Sequence, residues 1–90
     1  MVTRLTTDQA AIVALKGLAW LVNSPDSLDR FLELSGLDRT GLRARADEPE
    51  FLVALLDFLL TNEGLLMDFC DSTSTDARTV HFARHALVGG

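Results

Sequence analysis

Residues 51–60, FLVALLDFLL, hold nine apolar side chains in ten, interrupted only by Asp57. At about 3.6 residues per turn, Leu52, Leu55, Leu56 and Leu59 fall on one side of a helix and Phe51 and Phe58 flank them. The apolar arc therefore exceeds half the circumference, and such a helix must be covered on several sides. The run is about half the ~20 residues needed to span a bilayer. It predicts the central helix of a protein core, and no membrane span.

The flanking sequence supplies helix boundaries. Glu48-Pro49 places proline at an early helical position, where its missing N–H costs nothing, and the central helix should run to about Thr61. Asn62 is expected to cap a fifth helix carrying Leu65, Leu66, Met67, Phe69 and Cys70. The polar connection from Asp71 to Asp76 follows, with Ser74 or Thr75 expected to cap a sixth helix that runs to about Val88.

Toward the N-terminus, Thr6-Thr7-Asp8-Gln9 reads as a capping box that opens a first helix over about residues 7–22. Its polar residues Gln9, Lys16 and Asn23 recur every seven positions as a narrow strip, and Ile12, Leu15, Leu18, Leu21 and Val22 cover most of the rest. Gly17 in mid-helix costs about 1 kcal/mol relative to alanine, and a close helix crossing there would offset it. Asn23-Ser24-Pro25-Asp26 marks the next boundary, with Ser24 as cap and Pro25 at the first helical position. Helix two should turn Leu28, Phe31, Leu32 and Ser35 inward and end at a left-handed Gly36, with Leu37 folded back on Leu32 in a Schellman arrangement. Asp38 then caps a short helix over residues 39–46 whose one large apolar residue is Leu42.

No segment alternates as a strand does. The chain reads as all-α, a compact bundle of five or six short helices forming a single domain over residues 1–90, with residues 1–6 and 89–90 frayed. Trp20, Leu21, Phe31, Leu32, Leu55, Leu56, Phe58, Leu59 and Phe69 are its expected core. Sliding the second half by 38 residues (69 − 31 = 38) superposes Trp20 on Phe58, Leu21 on Leu59, Ser24 on Asn62, Phe31 on Phe69 and Asp38 on Asp76. Two readings of that agreement stand side by side: chance alignment of amphipathic helices, or two three-helix units about a pseudo-twofold with helices one and four crossing at the centre.

A chain of 90 residues and 9.8 kDa makes one domain that buries about 60% of its unfolded surface. Its hydrophobic content of 48% suits a small core rich in large side chains. One cysteine excludes an internal disulfide and a multi-cysteine zinc site and fits a reducing cytoplasm. The first residues show no cleavable leader pattern, so a cytoplasmic location is expected. The net charge of −5 is uneven. Six Lys/Arg against five acids in residues 1–46 give +1, and two against eight in residues 47–90 give −6. An acidic chain is repelled by phosphate overall, which disfavours nucleic acid as the main partner.

Few side chains are placed for chemistry. His81 and His85 have the i, i+4 spacing with which two imidazoles can share a metal, but no glutamate lies between them, and Arg78 and Arg84 add positive charge beside them. A solvated helix face is the preferred reading, and no metal or other cofactor is expected. Cys70 should pack as a small hydrophobe beside Leu66 and Phe69. Asp57 could be a buried acid with a raised pKa, but it more simply shares an exposed strip with Glu50 and Thr61. Helix two, the turn at Gly36 and helix three have the outline of a helix-turn-helix with Arg39, Arg43 and Arg45 on the reading helix. An ordinary capped turn is preferred, because that helix is short and Asp47, Glu48 and Glu50 follow at once.

The order Gly17-Leu18-Ala19-Trp20-Leu21, Arg30-Phe31-Leu32, Ser35-Gly36-Leu37, Pro49-Glu50-Phe51-Leu52 and Leu56-Asp57-Phe58-Leu59-Leu60 resembles a family of small uncharacterised helical proteins found largely in alphaproteobacteria. The resemblance covers roughly residues 10–88, and its most specific stretches are Arg30 to Leu37 and Pro49 to Leu60. Where that family often turns at Gly or Pro before its last helix, this chain has Ser72 to Thr75. The resemblance implies the helical fold and brings no activity, cofactor or catalytic motif.

The expected function is accordingly that of a small cytoplasmic protein-interaction module and not an enzyme, with another protein or a second copy as partner. A nucleic-acid-binding helix-turn-helix is the rival. Arg39, Arg43, Arg45, Asp57, His81 and His85 are the candidate interaction residues. Helices one and four are apolar nearly all round, and an apolar patch left uncovered on them would mark a partner site.

Overall fold

The structure, a computed structural model, describes residues 5–89. Its helices are α1 (Thr7–Val22), α2 (Pro25–Ser35), α3 (Arg39–Arg45), α4 (Pro49–Thr61), α5 (Glu63–Thr73) and α6 (Ala77–Gly89), with no strand among the described residues. The all-α bundle is thus the observed fold. Of the ends expected to fray, residues 1–4 and 90 lie outside the described residues. Thr6 is instead held as the cap of α1, and Gly89 closes α6.

The α1 capping box is complete. Thr6 Oγ1 accepts from the Gln9 N–H, and Gln9 Oε1 accepts from the Thr6 N–H, both at 3.0 Å. Asp38 caps α3 by accepting from the Gly41 N–H at 2.7 Å. The other expected caps form differently. Ser24 and Asn62 do not cap the helices that follow them; Ser24 Oγ donates to the Trp20 carbonyl at 3.3 Å and Asn62 Nδ2 to the Phe58 carbonyl at 2.7 Å. Each binds a carbonyl in the last turn of the preceding helix: that of Phe58 lacks a backbone donor, and that of Trp20 also accepts from the Asn23 N–H. Before α6 it is Asp76, and neither Ser74 nor Thr75, whose side chain accepts a first-turn N–H, that of Arg78 at 2.9 Å. Gly36 ends α2 at φ 74° with its N–H on the Leu32 carbonyl, but the Leu37 N–H donates to Ser35 Oγ at 3.4 Å. The turn is therefore the simpler left-handed cap and not a Schellman motif.

An offset of 38 residues (63 − 25 = 38) carries Pro25–Ser35 onto Glu63–Thr73, end for end. The same offset takes Ser24 (φ −125°, ψ 81°) to Asn62 (φ −120°, ψ 86°), and Gly36 (φ 74°) to Ser74 (φ 55°). Buried positions repeat as well, Leu21 with Leu59, Leu28 with Leu66, Phe31 with Phe69 and Leu42 with Val80. Aromatic contacts repeat across the molecule. Trp20 meets Phe69 edge-on at 5.9 Å and 68°, and their counterparts Phe58 and Phe31 meet edge-on at 5.3 Å and 60°. Local backbone, burial and ring packing agree at this offset, as the reading of two three-helix units expects.

The units differ in their third helix. α3 has seven residues and packs little, whereas α6 has thirteen and lies along both α1 and α4. α1, α4 and α6 form the centre, so α4 shares that place with α6. Gly17 marks the crossing of α1 and α4: a Cβ there would stand 3.2 Å from a Leu59 methyl. Most of the expected core is buried, including Leu21, Leu55, Leu56 and Leu59 at 0% exposure. Trp20 and Leu32 are half-buried instead, Ser35 and Met67 are exposed, and the small residues Ala10, Ala14 and Ala83 join the core.

Candidate functional site

α1 buries its small residues and exposes large ones. Ala10, Val13, Ala14, Gly17 and Leu21 face the bundle, because only short side chains let α4 and α6 approach so closely. Ile12, Leu15 and Val22 are left 55%, 44% and 47% exposed, with exposed Ala19 between them. Spaced 3, 4 and 3 residues apart, the four lie within one arc of the helix and form a continuous apolar stripe. An apolar patch left uncovered on α1, as its nearly all-round apolar sequence allows, is therefore present.

The candidate residues read from sequence do not converge on that stripe or on one another. Arg39, Arg43 and Arg45 are all exposed on α3, and of the three acids expected to neutralise them, Glu48 approaches Arg45, at 3.9 Å. Asp57 is neither a buried acid nor a plain member of an exposed strip. Half-buried on α4, it accepts from Arg84 Nε of α6 in an ion pair that ties the two helices together. His81 and His85 are exposed on α6. Among the described residues no three His, Cys, Asp or Glu side chains are grouped as a metal site requires. Cys70 is buried in the core, and burial, followed by the nearby carboxylates of Asp76 and Asp71, pushes its thiol pKa up, away from the reactive thiolate.

Two shallow depressions lie among the described residues. One lies over α2 and is lined by Asp26, Asp29, Arg30 and Glu33 around Leu32 and Leu37. The other, between the start of α4 and the end of α6, is lined by Pro49, Glu50, Val53, Leu87 and Val88. Neither gathers a nucleophile, a base and an orienting partner. Among the described residues no helix is long and apolar enough to cross a membrane.

Fold and surface together define a small all-α domain of six helices, with an uncovered apolar helix face. The chain belongs to the family described as Protein of unknown function (DUF3572), which matches residues 7–90. No curated protein and no solved structure matches it.

Proposed function

We propose that this chain is a protein-interaction module of the cytoplasm and not an enzyme. The observation that carries the reading is the stripe Ile12, Leu15, Ala19 and Val22, since a row of half-exposed aliphatic side chains on one helix favours cover by a partner. The absence of catalysis is supported by where the reactive groups lie: the Asp57 carboxylate is engaged by Arg84, the Cys70 thiol is buried, and the imidazoles stand on an exposed face. The single buried cysteine also suits a reducing compartment, such as the cytoplasm of the bacteria in which the resembling family is found.

Nucleic-acid binding is the rival, because Arg39, Arg43 and Arg45 remain exposed. A pull-down from the source cell with three baits separates the two. The interaction reading predicts that the wild-type chain and the triple Arg→Ala variant recover the same discrete protein and that Leu15→Glu loses it. Recovery of nucleic acid alone, lost in the triple variant and falling steeply with salt, overturns the reading.

A further inference from the structure

The stripe on α1 is the counterpart of a surface that the second unit partly covers, with Val53, Asp57 and Leu60 half-buried and Glu50 exposed. α6 runs antiparallel over α4, with Arg84 on Asp57, and Leu87 and Val88 beside Pro49, Glu50 and Val53. Moved back by the 38-residue offset (57 − 19 = 38), Glu50, Val53, Asp57 and Leu60 become Ile12, Leu15, Ala19 and Val22. Arg84, Leu87 and Val88 become Ala46, Pro49 and Glu50, which lie past the end of α3 at Arg45 or already in α4. The first unit thus has the seat and lacks the half-helix that fills it.

Resting on the interaction reading, we infer that this seat takes an amphipathic helix of another protein, with small and aliphatic residues along its seam and a carboxylate on one flank. The seam follows from α6 itself, whose Val80, Ala83 and Leu87 are buried at i, i+3 and i+7 where it packs on both α1 and α4. The flank follows from charge. Lys16 stands exposed at the edge of the stripe with no ion-pair partner among the described residues. At the corresponding position α4 has the uncharged Ala54, and Asp57, which α6 meets with a cation, has become Ala19. The seat therefore calls for an anion near Lys16, and for no cation at Ala19, whose counterpart Asp57 takes Arg84. Asp8 continues the row one turn before Ile12, so the acid must lie toward Lys16 and away from that end.

A second copy fits less well. Antiparallel pairing of two stripes about their middle brings Lys16 toward Lys16, a like-charge contact. Each half-exposed aliphatic side chain offers only about 50 Å², so a stripe falls well short of the roughly 800 Å² per partner of a stable interface. The same small area limits a helix partner to a weak, exchangeable complex, so it is the Lys16 contact that sets the two occupants apart.

The test is a nuclear magnetic resonance titration of the isotope-labelled chain with two helix-constrained peptides the length of α6. Both carry Val, Ala and Leu at the spacing of Val80, Ala83 and Leu87; one bears Glu on the flank and the other Lys. The Glu peptide should shift the amides of Ile12, Leu15, Ala19 and Val22 saturably and bind about five-fold more tightly than the Lys peptide. Lys16→Glu should invert that order, and Leu15→Glu should weaken both more than ten-fold while leaving the thermal midpoint unchanged. Equal affinity of the two peptides, shifts centred elsewhere, or no binding overturns the inference. If neither peptide binds but the wild-type chain sediments as a dimer that Leu15→Glu dissociates, the interaction reading survives with a second copy in the seat.

Discussion

Ser74 ends α5 in the left-handed conformation with which Gly36 ends α2, at φ 55° against φ 74°. The two residues occupy equivalent places in the two units, but only the glycine is free of the Cβ clash that this conformation imposes, worth about 1 to 2 kcal/mol. Ser74→Gly should therefore stabilise the chain by about 0.5 to 1 kcal/mol, and Gly36→Ala should cost about 1 kcal/mol. Urea denaturation reads both. Destabilisation by Ser74→Gly would show that the serine hydroxyl matters more than the backbone strain.

Leu56 lies at 0% exposure on α4, in the hydrophobic core. Leu56→Ala removes buried methyl groups and leaves a cavity, a change that costs about 2 to 5 kcal/mol in such a site. A shift well under 1 kcal/mol in the denaturation free energy is incompatible with α4 as the buried centre.

Asp57 and Arg84 hold α4 to α6, but their side chains are 44% and 43% exposed, so solvent screens the pair. A double-mutant cycle through Asp57→Asn and Arg84→Gln should give a coupling of about 0.2 to 1 kcal/mol that shrinks at high salt. Coupling of several kcal/mol, unchanged by salt, would place the pair in a dry interior, contrary to the structure.

Cys70 reacts through its thiolate, and burial together with the Asp76 and Asp71 carboxylates holds its pKa above the usual thiol value. At pH 8 the folded chain should react with a disulfide reagent at least ten-fold more slowly than the urea-unfolded chain. Because the folded pKa is raised, the thiolate form is disfavoured in the native state. Stability that is full below the unfolded thiol pKa should decline as the pH rises toward and past it. Equal reaction rates with and without urea contradict the burial.

Helix boundaries were legible wherever local chemistry sets them: Thr6 with Gln9, Pro25, Gly36, Asp38 and Pro49 each act within a few residues along the chain. The 38-residue offset was legible too, since spacing alone preserves it. Contacts between helices were mostly not, the crossing of α1 and α4 at Gly17 excepted. Nothing near Asp57 announces Arg84, 27 residues away on another helix. Which arc of α1 faces inward was not legible either, because apolar residues surround most of that helix; close approach by α4 and α6 selects Ala10, Ala14 and Gly17 for the interior and turns Ile12 and Leu15 out. The caps at Ser24 and Asn62 failed because either neighbouring helix can use the same side chain, and the preceding one does.

The central claim is that equivalent faces of the two units are covered in one and open in the other. It is tested most directly by comparing Leu15→Glu with Val53→Glu, the same position in α1 and α4, by urea denaturation of the isolated chain. Leu15 is exposed and Val53 lies half-buried beside Leu87 and Val88 of α6. The account predicts that Leu15→Glu stays within about 0.5 kcal/mol of wild type while Val53→Glu costs about 1 to 3 kcal/mol. Equal losses from both substitutions would mean that the α1 face is already covered in the free chain, and would contradict the account.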